Sequence, residues 1–226
     1  MYLCTAKKTS CSIMDDKPVL IFGAGGLGKA ALEIFNSHGV IVYGLLDDDE
    51  ETHGQEIGEV SILGATNDDG FLKLIGKKCD AFVAVDENSV RESLVEMLKE
   101  RRKVMPTNAL HRDVSVAQTA TLRYGTFVNA GVRIGAEASI GNHCILHSNA
   151  VIEHGVSLEE FVQVGAGSVL NAGVTVGEGA FIGSGVTIVG GVKIGKGARI
   201  GAGSVVIADV EEEATVFGNP AQMVGS

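Results

Sequence analysis

From Val116 to Val206 an aliphatic residue returns at every sixth position without a slip: Val116, Leu122, Val128, Ile134 and onward through Ile152, Leu170 and Ile188. Two positions before each stands a small or β-branched residue, from Val114 and Ala120 through Cys144 to Ser204. A period of six fits neither an α-helix nor a simple alternating strand. It fits a parallel β-helix, in which each hexad is a short strand plus a turn and successive coils stack into a continuous core. The two inward residues of a hexad lie two apart, on one face of a strand. Three hexads per coil predict about five coils. Glycine follows the aliphatic position directly at Gly135, Gly141, Gly165, Gly177, Gly183, Gly195 and Gly201, where a tight corner would strain a side chain. The period leaves the hand open, and right-handed crossovers are the general rule.

Before the hexads the pattern changes to that of an α/β unit. Pro18 to Phe22 is a continuous apolar run that reads as a buried parallel strand, and Gly23-Ala24-Gly25-Gly26-Leu27-Gly28 follows it directly. A helical pattern then runs from Lys29 to Ser37. In that strand–turn–helix context the glycines would let a phosphate approach N–H groups at the positive end of the helix. A second strand, Val40 to Leu46, ends in Asp47-Asp48-Asp49, and Asp47 lies where a dinucleotide domain keeps its ribose-binding carboxylate. A further strand, Cys79 to Val85, leads through Asp86-Glu87-Asn88 into a helix from Ser89 to about Arg102. Ligands of open α/β sheets sit at the carboxyl ends of strands, so Asn88 and Arg91 face the right side; the alternative is a helix cap and a solvated charge.

This divides the chain into a loose extension at 1–16, with Met14 a possible alternative start, a Rossmann-like head at 17–105 and a β-helix with its tail at 106–226. The linker is Met105-Pro106-Thr107-Asn108-Ala109, and the tail passes through Glu211-Glu212-Glu213 to Phe217.

Composition narrows the function. A net charge of −10 without a basic run argues against nucleic acid and anionic membrane as partners. No stretch approaches the roughly 18 apolar residues of a membrane span. Met1 to Ile13 lacks the apolar core of a secretory signal, so a cytoplasmic chain is expected. Cys4, Cys11, Cys79 and Cys144 have neither zinc spacing nor a disulfide framework, and Cys144 falls on an inward position.

Of six histidines, His38, His53 and His111 read as surface residues and His143 as structural. His154 follows the inward Ile152 by two and so points outward at a corner. Its neighbours one coil away, Ala136 and Ala172, are small and leave room for a ligand. A neutral imidazole there suits a general base; a solvated corner histidine is the alternative. His147 is a candidate substrate contact.

Gly23 to Gly28, Asp47-Asp48, Asn88 and Arg91, the hexads, Val151-Ile152-Glu153-His154 and Gly218-Asn219-Pro220-Ala221 together resemble one family from Pro18 onward. It is the bacterial sugar acetyltransferases of the PglD/NeuD-like type, nucleotide-sugar N-acetyltransferases and sialic acid O-acetyltransferases that join a Rossmann-like α/β head to a left-handed parallel β-helix. The resemblance implies a head that binds a nucleotide-linked amino sugar, with Gly23, Gly25 and Gly26 on the phosphates and Asp47 and Asp48 by the base and ribose. It implies acetyl-CoA in a cleft between subunits of a homotrimer, with contacts at Gln163, Ala172, Gly173, Gly190 and Ala202. His154 matches the catalytic histidine, the Ala172 backbone N–H would meet the thioester oxygen, and no metal is required.

Three positions depart from the family pattern. An acidic residue usually follows the histidine, and here it is Gly155; a second histidine is replaced by Gln163, and one in the glycine turn by Leu27. Glu153 is expected to point elsewhere on an alternating strand, leaving Glu159 or Glu160 to orient the base. The expected reaction is N-acetylation of a nucleotide-linked sugar. The alternatives are O-acetylation of a sialic acid-like sugar, a non-catalytic sugar-nucleotide binder, and a nicotinamide oxidoreductase, for which nothing after the head supplies a hydride-transfer domain.

Overall fold

The computed structural model describes residues 17–224; the extension at 1–16, with Cys4, Cys11 and Met14, lies outside the described residues. The chain forms two compact units that meet between Arg112 and Asp113.

The head contains β1 (Val19–Phe22), α1 (Gly26–Ser37), β2 (Val42–Leu46), β3 (Glu56–Ile57), β4 (Val60–Gly64), α2 (Asp69–Leu72), β5 (Asp80–Val83), α3 (Asn88–Arg102) and β6 (Ala109–Leu110). Five strands form a sheet in the order β3-β4-β2-β1-β5. Every pairing is parallel except that of β3 with β4. β1 is buried throughout because it lies between β2 and β5, which explains why its sequence is continuously apolar. α1 buries Leu27, Ala31, Leu32, Ile34 and Phe35, and Phe35 meets Phe82 of β5 edge-on at 5.6 Å. The segment after Met105 stays with the head: Thr107 N–H donates to Ala81 O (2.8 Å), His38 Nε2 to Leu110 O (2.9 Å), and Arg112 to Ser37 O.

The second unit begins with sixteen two-residue strands, β7 (Ser115–Val116) to β22 (Val205–Val206). Each pairs in parallel with the strand one coil away, as in the register Ile134–Ile152–Leu170–Ile188. Every third strand shares a sheet, so three sheets make a three-sided, left-handed β-helix. From Val128 to Val206 the aliphatic residue of each hexad is buried, whereas Val116 of the first hexad is exposed: Ile140, Leu146, Val164, Leu170 and Ile188 are all fully buried, and so are the smaller Ala150, Val162, Ala180 and Cys144. Burying an aliphatic side chain of this size stabilises by about 1.5–3 kcal/mol, and the repetition makes the prism the dominant core. The coils end in β23 (Thr215–Gly218) and β24 (Ala221–Met223), an antiparallel hairpin.

The glycines directly after the aliphatic positions have a different cause from the one the sequence suggested. None of them has a positive φ. A Cβ on Gly165 would lie 2.5 Å from Gly183 C, and one on Gly135 would lie 2.7 Å from His154 N. They are small because stacked coils touch backbone to backbone. The left-handed conformation falls two residues later, at Gly155 (φ 67°) and Gly173 (φ 71°), and Glu137, His143, Asn149 and Phe161 adopt it without glycine. No helix among the described residues is long and apolar enough to cross a membrane.

Candidate active site

The head gathers its polar residues at the carboxyl ends of β1, β2, β4 and β5. Gly23 (φ 109°) and Gly28 are required by packing, since a Cβ would lie 2.5 Å from Ala84 O at the first and 2.1 Å from Gly23 O at the second. Gly25 and Gly26 are different. They are exposed at the N-terminus of α1, and a Cβ on either would meet nothing within 4 Å. The fold leaves this space open above helical N–H groups, where an anion is stabilised.

Asp47 and Asp48 are engaged first by the protein. Asp47 Oδ2 accepts from Ala24 N–H at 2.7 Å and Oδ1 from Asp49 N–H at 3.0 Å, while Asp47 O accepts from His53 Nε2 at 2.7 Å. Asp48 Oδ1 accepts from Thr66 N–H and Thr66 Oγ1, both at 2.8 Å. A carboxylate has about four acceptor positions, so each Asp holds a loop and keeps capacity beyond it. Thr66 went unnoticed in the sequence, and His53 was read as a surface residue. Thr66 follows β4 at its carboxyl end and could have been found from that; His53 binds only backbone and gives no signal.

Arg91 corrects its sequence reading. It is 1% exposed, and Nη1 donates to Val85 O at 2.8 Å and Asp86 O at 3.0 Å, with Nη2 donating to Asn88 Oδ1. It offers no surface to a ligand and is not a solvated charge. It ties the loop after β5 and orients the half-exposed Asn88.

In the β-helix His154 and Gly155 form the corner between β13 (Val151–Ile152) and β14 (Ser157–Leu158). The imidazole is exposed, and its stacked neighbours are Ala136 and Ala172, as the bonds Gly155 N–Ala136 O (2.9 Å) and Gly173 N–His154 O (3.1 Å) show. Below it the same edge carries Ala172-Gly173 and Gly190-Gly191, leaving two coils without bulky side chains. Among the described residues the Ala172 N–H has no hydrogen-bond partner.

Glu153 does not point away from the base. Its Oε2 lies 3.7 Å from His154 Nδ1. Strand alternation does not reach Glu153, because the strand ends at Ile152 and Glu153 already opens the corner. Glu159 and Glu160 do not substitute: Glu159 Oε2 accepts from Glu178 N–H at 2.9 Å and Glu160 Oε1 from Asn142 Nδ2 at 2.6 Å, on the far side of the next sheet. Both line a hollow with Arg123, Ser139, Ser157 and Glu178 that excludes His154.

The remaining residues lie elsewhere on the prism. Gln163, 9% exposed, has Nε2 3.2 Å from His147 Nε2, so these two form a pair near a second edge. Ala202 sits on that second edge, not beneath His154. His143 is buried and stacks on Phe161 with ring centroids 4.9 Å apart, a structural role. No group of three or more His, Cys, Asp or Glu among the described residues could hold a metal ion.

Comparison with known proteins places both units. Residues 18–98 match the PglD N-terminal domain, residues 155–190 and 173–208 match the bacterial transferase hexapeptide, and residues 137–172 match the hexapeptide repeat of succinyl-transferase. Perosamine N-acetyltransferase from Caulobacter crescentus, solved as a histidine-to-asparagine variant with CoA and GDP-perosamine, is 30% identical. It superposes with a TM-score of 0.85 over 92% of this chain and 97% of that one. PerB from the same organism, with the same ligands, is 32% identical over 92% and 97% of the chains, with a TM-score of 0.83. The acetyltransferase domain of PglB from Neisseria gonorrhoeae, with acetyl coenzyme A, is 26% identical over 92% and 99%, with a TM-score of 0.84. None of the curated proteins matches the sequence. The chain belongs to the hexapeptide-repeat sugar N-acetyltransferases that carry a PglD N-terminal domain.

Proposed function

We infer that this chain moves an acetyl group from acetyl-CoA to the amine of a nucleotide-linked amino sugar, with His154 as general base. The observation that carries the reading is the likeness, through both units, to an enzyme crystallised with CoA and GDP-perosamine together.

The residues fit the chemistry. Gly25 and Gly26 leave a phosphate room at the start of α1, Asp47 accepts from Ala24 N–H in that turn, and Asp48 and Asn88 follow β2 and β5 at their carboxyl ends. Ala172, Gly173 and Gly190 give the pantetheine arm of acetyl-CoA a track without bulky side chains, and the Ala172 N–H supplies a donor for the thioester oxygen. His154 Nε2 takes the amine proton as the nitrogen bonds to the acetyl carbon; the C–S bond breaks, and the proton passes to the departing CoA sulfur. Holding both substrates together supplies much of the rate. Gln163, His147 and Ala202 lie on a different edge from His154. They would reach the cofactor only from a neighbouring copy, and the active unit is accordingly a homotrimer. Cys79 and Cys144 are buried thiols outside any disulfide, which suits a cytoplasmic enzyme.

The test is release of CoA thiol with acetyl-CoA and a panel of GDP-, UDP-, dTDP- and CMP-linked amino and hydroxy sugars. Turnover with an amino sugar is expected. Turnover with hydroxy sugars alone would favour O-acetylation, and binding without CoA release a non-catalytic role.

A further inference from the structure

We propose that Glu153 is the positioning carboxylate of the catalytic histidine, in the place of an acidic residue that Gly155 cannot supply. The proposal rests on the reading of His154 as the base.

Three observations converge on it. Glu153 Oε2 lies 3.7 Å from His154 Nδ1, an ion-pair separation to the ring nitrogen that is not the proposed proton acceptor. Among the described residues His154 is the partner of the Glu153 carboxylate, whereas Glu159 and Glu160 are committed to Glu178 N–H and Asn142. The stacked positions do not compete: Gly135, one coil before, has no side chain, and Asn171, one coil after, turns its Nδ2 to Ile188 O at 2.6 Å. Gly155 supplies no carboxylate, so at this corner the acid stands before the histidine instead of after it.

The physical consequence follows from charge. A carboxylate beside Nδ1 favours the tautomer with its proton on Nδ1, leaving the Nε2 lone pair to accept the amine proton. It then stabilises the imidazolium formed as the carbonyl is attacked. Glu153 touches neither substrate, so its removal is expected to act on kcat and leave KM for acetyl-CoA unchanged.

The experiment compares wild type, Glu153→Gln, Glu153→Ala, Glu153→Ala with Gly155→Asp, and His154→Ala, using acetyl-CoA and the best acceptor of the sugar panel. Nitrogen-15 NMR of the His154 ring reads the tautomer without any ligand. Expected are a loss of kcat of about fivefold or more in both Glu153 variants, a KM for acetyl-CoA within twofold, a shift of the ring proton from Nδ1 toward Nε2, and partial recovery of kcat on adding Gly155→Asp. Wild-type kcat and an unchanged tautomer in Glu153→Ala, with His154→Ala inactive, would overturn the positioning role alone. An active His154→Ala enzyme would overturn the base assignment and the positioning role with it.

Discussion

At the scale of single residues, the glycine turn separates what the fold needs from what a ligand needs. Gly28→Ala would place a Cβ 2.1 Å from Gly23 O and is expected to destabilise by about 1–3 kcal/mol, measured by denaturant unfolding. Gly25→Ala and Gly26→Ala meet nothing within 4 Å, so they should unfold like wild type and raise KM for the nucleotide sugar. Asp47→Ala releases the N–H groups of Ala24 and Asp49 and should cost about 1.5–3 kcal/mol, with a weaker sugar site besides. Burial pushes the Cys79 thiol up to about 11, with Asp80 adding to the shift and Arg102 opposing it. Because the folded value lies above the ordinary 9.0, stability from this group is intact below about pH 9 and is lost as pH rises toward 11. Unfolding measured from pH 8 to 11 should show that loss, and Cys79→Ala should remove its share of it.

At the scale of elements, the β-helix was legible because its core repeats: the register Ile134–Ile152–Leu170–Ile188 is the sequence period seen from the side. The causes of its glycines were not legible. A letter does not say whether glycine serves φ or close approach, and only the stacked coils distinguish Gly165 from Gly167. Gly165→Ala forces a Cβ to within 2.5 Å of Gly183 C, whereas Gly167→Ala has open space and only the strain of φ 68°. The first is therefore expected to lower the thermal midpoint more than the second, whose cost is about 1–2 kcal/mol. In the head, α3 and the strand before it were read at nearly their observed limits, but the fate of Arg91 was hidden. A charged residue in a first turn usually faces water. Here the loop after β5 exposes two carbonyls that need donors, and burial of the guanidinium satisfies them. Glu153 was expected to point away and Thr66 was missed for a related reason, since both lie one residue or two beyond a strand, where alternation no longer holds.

For the whole molecule, the order of units, a glycine-turn head followed by a β-helix, was readable from periodicity, and the relatives share it across more than nine-tenths of their length. The assembly is the part a single chain's pattern does not carry. His154 with Ala172 and the pair His147–Gln163 lie on different edges, and in the trimer proposed above they would come from different copies. Light scattering after size exclusion should give three times the chain mass, and a monomer would remove that shared cleft. The most direct test of the central claim is mass spectrometry of the sugar nucleotide after incubation with acetyl-CoA, wild-type protein or the His154→Ala variant. One acetyl group on the sugar amine with wild type, and none with His154→Ala, is the result expected; equal acetylation by both would contradict it.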